Sequence, residues 1–96
     1  MRYEMFLNTT NEAARVTGGS IEVLAGDYRG IKLPAEGNFH LMLVLDMDDE
    51  DGWMVWRELA GGGRCCDASI QRLGWLRLDD LAHAAHESLD GHECLQ

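Results

Sequence analysis

The clearest alternation in the chain runs over FHLMLVLD, residues 39 to 46, where Phe39, Leu41, Leu43 and Leu45 share one face and Met42 and Val44 the other. A strand apolar on both faces belongs in the middle of a sheet, covered on both sides. WMVWREL, residues 53 to 59, follows after only six residues, a spacing that predicts an antiparallel hairpin. Trp53 and Trp56 then fall on opposite faces of the second strand, so alternation alone puts at most one of them fully in the core. Upstream, SIEVLAG (20 to 26) and RGIKLP (29 to 34) read as two further strands around a turn-rich stretch from Gly26 to Gly30, with Pro34 ending the second or placing it at an edge.

Two helices frame these strands. RYEMFL, residues 2 to 7, alternates loosely and suits a short strand; Thr9-Thr10-Asn11-Glu12 has the form of a capping box and predicts a short helix over about residues 10 to 17, stopped by Gly18-Gly19. RLDDLAHAAHESLDG, 77 to 91, is a second helix with Asp79 or Asp80 near its start and Gly91 available as its stop. Leu78, Leu81, Ala82, Ala85 and Leu89 line one stripe of it, suited to packing on the sheet. Residues 65 to 76 are open between a short helix capped by Asp67 or Ser69 and an irregular stretch, since Gly74 weakens a long helix. The expected fold is α+β: a small antiparallel sheet of about four to five strands, with a short N-terminal helix and a C-terminal amphipathic helix packed on one face.

Composition narrows this further. A length of 96 residues at 46% hydrophobic content suits one globular domain over residues 1 to 96 with one modest core. No stretch approaches the roughly 18 apolar residues of a membrane span, and the start has no apolar run of signal-peptide length, so a soluble, cytoplasmic protein is expected. Three cysteines, with Cys65 and Cys66 adjacent, make a poor disulfide framework and suit a reducing compartment.

Charge changes the picture most. The formal net charge is −9, of which −1 falls on residues 1 to 45 and −8 on residues 46 to 96. Such a surface repels phosphate backbones, which disfavours direct binding to nucleic acid or to an anionic membrane and favours a basic protein partner; neither nucleic acid nor membrane is expected as a direct partner. The densest acids, Asp46, Asp48, Asp49, Glu50 and Asp51, fall at the tip of the expected hairpin. Such a tip can be a solvated turn that protects a sheet edge, or a patch that meets Arg or Lys on another protein. A tryptophan beside it would serve as an anchor, and would equally suit a homodimer.

Two chemistries compete for the same residues. Leu43-Val44-Leu45-Asp46-Met47-Asp48 resembles the first motif of the haloacid dehalogenase superfamily, an apolar strand ending in Asp-x-Asp. The resemblance implies Asp46 as phosphoryl-accepting nucleophile, Asp48 as general acid/base, magnesium close by, and Asp79-Asp80 in place of the distal acidic pair. It covers six residues. The family also has a large doubly wound sheet, a Ser or Thr after a second strand and a downstream lysine, whereas Lys32 is the only lysine here and precedes the motif. An EF-hand loop starting at Asp46 fails in register, because Asp51 and Arg57 stand where Gly and Glu are required.

The second chemistry is zinc. HAAHESLDGHEC places His83, His86, His92 and Cys94 within twelve residues, and His83 with His86 has helical spacing for two ligands, to be completed by His92, Cys94, Cys65 or Cys66. No Cys-x-x-Cys or finger spacing accompanies them, and Asp79 and Asp90 on the same stripe offer the histidines simple ion-pair partners.

The leading expectation is therefore a non-enzymatic, cofactor-free interaction module that inhibits or regulates a basic nucleic-acid-binding protein by phosphate mimicry. In size and charge it resembles small phage-encoded inhibitors of bacterial defence systems, the anti-CRISPR proteins among them. The residues expected to carry it are Asp46, Asp48, Asp49, Glu50, Asp51 and Trp53 at the hairpin tip, with Asp79, Asp80, Glu87 and Asp90 on the last helix.

Overall fold

A computed structural model of the chain describes residues 2–47, 52–59, 61 and 70–89. In chain order its elements are α1 (Tyr3–Thr17), β1 (Ser20–Val23), β2 (Arg29–Lys32), β3 (Phe39–Leu45), β4 (Trp53–Leu59), β5 (Gln71–Gly74) and α2 (Leu78–Ser88). The strands form one five-stranded sheet in the order β1-β2-β3-β4-β5. Every strand pair is antiparallel, so the sheet is a simple meander. The doubly wound parallel sheet that the dehalogenase resemblance implies is not what this chain builds: Leu45 pairs directly with Trp53, leaving no room for a crossover helix.

β3 lies third of five, where its two apolar faces require it. Leu41, Leu43 and Leu45 point to the face covered by both helices and pack with Ile31, Val55 and Trp53 from the neighbouring strands and with Phe6 and Leu81 from α1 and α2. Met42 and Val44 point the other way and pack with Trp56. Full burial of such side chains contributes roughly 1.5–3 kcal/mol each, so β3 and β4 are held by apolar contacts on both faces of the sheet.

The start of the chain departs from expectation. Residues 2 to 7 are not a strand followed by a separate helix; α1 begins at Tyr3 and runs unbroken to Thr17. Its buried residues Phe6, Thr10, Ala13 and Ala14 are spaced for one helical face, and six residues of loose alternation are too few to distinguish a period of 2 from 3.6. The Thr9–Glu12 box therefore sits in mid-helix, where Glu12 pairs with Arg15 instead of capping. That guanidinium holds the Glu12 carboxyl below the usual carboxylate range. The stop was legible: Gly18 takes the left-handed conformation at φ 76°, and Gly19 donates to the Ala14 carbonyl.

At the opposite end of the sequence α2 follows its expected stripe, with Leu81, Ala85 and Leu89 buried. Arg57 ties its C-terminus to the sheet: the guanidinium lies 4.3 Å from the Phe39 ring centre and donates to the Leu89 carbonyl at 3.0 Å. A cation at the carbonyl end of a helix complements the helix dipole. Of the open stretch 65 to 76, Gln71–Gly74 forms an edge strand on β4, and residues 62–69 lie outside the described residues.

Candidate functional site

The acidic run leaves β3 at Asp46 and returns at Gly52. The Asp46 amide donates to the Gly52 carbonyl at 2.8 Å, which closes the base of the turn. Tyr28 braces the same base from the loop between β1 and β2: its hydroxyl accepts from the Met47 amide at 3.1 Å and donates to Asp46 Oδ1 at 3.3 Å. Phe6 meets the Tyr28 ring edge-on at 5.5 Å, and Tyr3 stacks on Phe6 at 6.0 Å. An aromatic row thus runs from the first turn of α1 to the first acid of the run. Asp48, Asp49, Glu50 and Asp51 lie outside the described residues, as does Asp90.

Trp53, expected at a contact surface beside the acids, is instead 1% exposed in the core between sheet and helices. Register explains it: opposite Leu45, its side chain must share the helix-covered face. Trp56 takes the other face, and its indole N–H donates to Glu58 at 2.8 Å. Glu58 also lies 3.7 Å from His40, which is buried on that face.

The exposed aromatic near the turn is a different one. Trp75 directly follows β5 and is 55% exposed. Gly52 and Gly74 cross there in close backbone contact, both at positive φ (72° and 74°). A Cβ on Gly52 would fall 2.6 Å from the Gly74 carbonyl and 2.9 Å from the Trp75 nitrogen, so only glycine permits the crossing. The sequence signal was Gly74-Trp75 itself, read only as a weak point in a helix.

The acids of α2 have local partners. Asp79 and Asp80 occupy the first turn, where the helix dipole favours negative charge, and Asp79 lies 3.9 Å from Arg77. Glu87 pairs with His83 at 3.2 Å, one turn away, and His86 approaches Glu36 at 3.7 Å. The two helical histidines therefore turn to separate carboxylates. Among the described residues no group of three or more His, Cys, Asp or Glu is placed to hold a metal ion. Cys65, Cys66, His92 and Cys94 lie outside them. Lys32, the only lysine, pairs with Glu22 at 3.2 Å, so it does not serve Asp46 as the phosphoryl-transfer resemblance would ask.

Among the described residues no helix is long and apolar enough to cross a membrane. No family model, no curated protein and no solved structure matches the chain.

Proposed function

We propose that the protein is a small acidic interaction module that binds a basic, nucleic-acid-handling protein and blocks or regulates it by presenting carboxylates where phosphates would lie. One observation carries the reading: the densest acids of a chain with net charge −9 issue from the end of the central β3–β4 hairpin, at a base closed by Asp46, Gly52 and Tyr28. Like charges so close in sequence repel, and a basic partner relieves that repulsion. The neighbouring hairpin core supplies a stiff support for the contact. The size and charge of phage-encoded anti-defence inhibitors fit the same mode of action.

The test is a pull-down at low salt from lysate of the cell in which the protein acts, eluted by a salt gradient and read by mass spectrometry. The expected result is one nucleic-acid-binding protein, released by moderate salt and by competing DNA, because screening at 0.1 M shortens electrostatic reach to about 10 Å. A retained partner that neither salt nor DNA displaces would sink phosphate mimicry.

A further inference from the structure

We infer that β1 is the edge at which a second copy of this chain adds, strand against antiparallel strand, with Ile21 of one copy directly opposite Ile21 of the other. Among the described residues β1 has one neighbour, β2, and pairs with it in unbroken register from Ser20 opposite Lys32 to Val23 opposite Arg29. The other edge of the sheet is blunted, because the pairing of β4 with β5 shifts register between Trp53 and Met54. Two hydrogen bonds that continue the pairings of β2 fix which way the main chain of β1 faces. Leu24 N–H donates to the Tyr28 carbonyl and Leu33 N–H to the Leu41 carbonyl, so by alternation Glu22 bonds toward β2 while the N–H and C=O of Ile21 and Val23 point to the open edge. Their side chains lie on the same side of the sheet as Ile31, yet Ile21 is 40% and Val23 71% exposed.

Charge and register both point to a second copy as the occupant. Residues 1 to 45 carry only −1 of the net −9, and β4 and β5, from the acidic half, lie at the other end of the sheet, so two copies joined at β1 keep those strands apart. Of the registers that bring the outward groups together, the one centred on Glu22 sets two carboxylates face to face, and the one centred on Val23 runs past the end of the strand to Ala25. Centring on Ile21 instead puts Ser20 opposite Glu22 of the second copy, hydroxyl to carboxylate. Ile21 then meets its own symmetry mate, the self-complementary contact that a two-fold axis requires. The inference is independent of the acidic partner contact proposed above.

The experiment is sedimentation equilibrium of the full chain over about 1 µM to 1 mM, since an edge this short makes a small interface, with thermal unfolding as the control for folding. Wild type should be a reversible dimer. Val23→Pro removes an N–H that faces the open edge and no bond to β2, so it should weaken the dimer about tenfold while the chain stays folded. Ser20→Asp keeps Lys32 across from it within the chain but faces Glu22 of the second copy, so it should weaken the dimer too, and added salt should restore it. A monomer at every concentration would overturn the inference, as would a dimer that a folded Val23→Pro leaves intact. A dimer that Ser20→Asp does not weaken would refute the register centred on Ile21, whether or not Val23→Pro folds.

Discussion

The chain carries acid in two described settings that differ in what the fold does with it. On α2, Asp79, Asp80 and Glu87 sit where helix physics already explains them, by the dipole and by neighbours one turn away. At the end of β3, Asp46 is held by a tyrosine from another loop and is followed in the sequence by four further acids that lie outside the described residues. Helix physics occupies the first group, whereas the tertiary brace reaches Asp46 alone among the described acids of the second. That difference is why the proposed partner contact is put at the hairpin end and not on the helix.

The largest expected effect removes the support beneath the hairpin. Trp53→Ala should cost about 3–5 kcal/mol in denaturant unfolding, since it empties a fully buried site between sheet and helices. A loss below about 1 kcal/mol would mean the hairpin does not rest on that core.

Next comes the brace itself. Tyr28→Phe deletes the hydroxyl's hydrogen bonds to Asp46 and Met47 while keeping the ring against Phe6. It should cost about 1–2 kcal/mol, and amide exchange at Met47 should accelerate more than exchange along β3. Uniform acceleration across the sheet would show a general loss of stability instead of a local latch.

On the helix side, D79N/D80N should lower stability by about 1 kcal/mol through the weakened dipole interaction, with the midpoint less sensitive to the change in high salt. Partner binding should be nearly untouched.

Smallest of all is Glu12→Gln, on the exposed face of α1. The Glu12 carboxyl is held low by Arg15, so its contribution exists above the unfolded-state value and disappears as pH falls through the folded one. At neutral pH the variant should unfold barely below wild type, and in the acid range the two should coincide.

How much of this was readable follows from physical signal. β3 was legible because alternation with both faces apolar has one home, the sheet interior, and the short link to β4 fixed a hairpin. α2 was legible from Leu81, Ala85 and Leu89 at helical spacing. The start of α1 was not, because Tyr3, Met5 and Leu7 mimic alternation until Phe6, Thr10 and Ala13 are seen to share one helical face. β5 was not, because four residues at a sheet edge bury too little to leave a pattern. The acidic run was plain in the sequence, but its brace was hidden: Tyr28 and Asp46 are 18 residues apart, and nothing local to either announces the contact. The same holds for Trp53, whose burial depends on strand register, and for the close crossing of Gly52 and Gly74.

The most direct measurement compares the two acidic regions in one pull-down, using D48N/D49N/E50Q/D51N beside D79N/D80N/E87Q at low salt. The hairpin variant should lose the basic partner, by about a hundredfold in affinity, while the helix variant keeps it within a few-fold. Equal retention by both variants would contradict the assignment of function to the hairpin end.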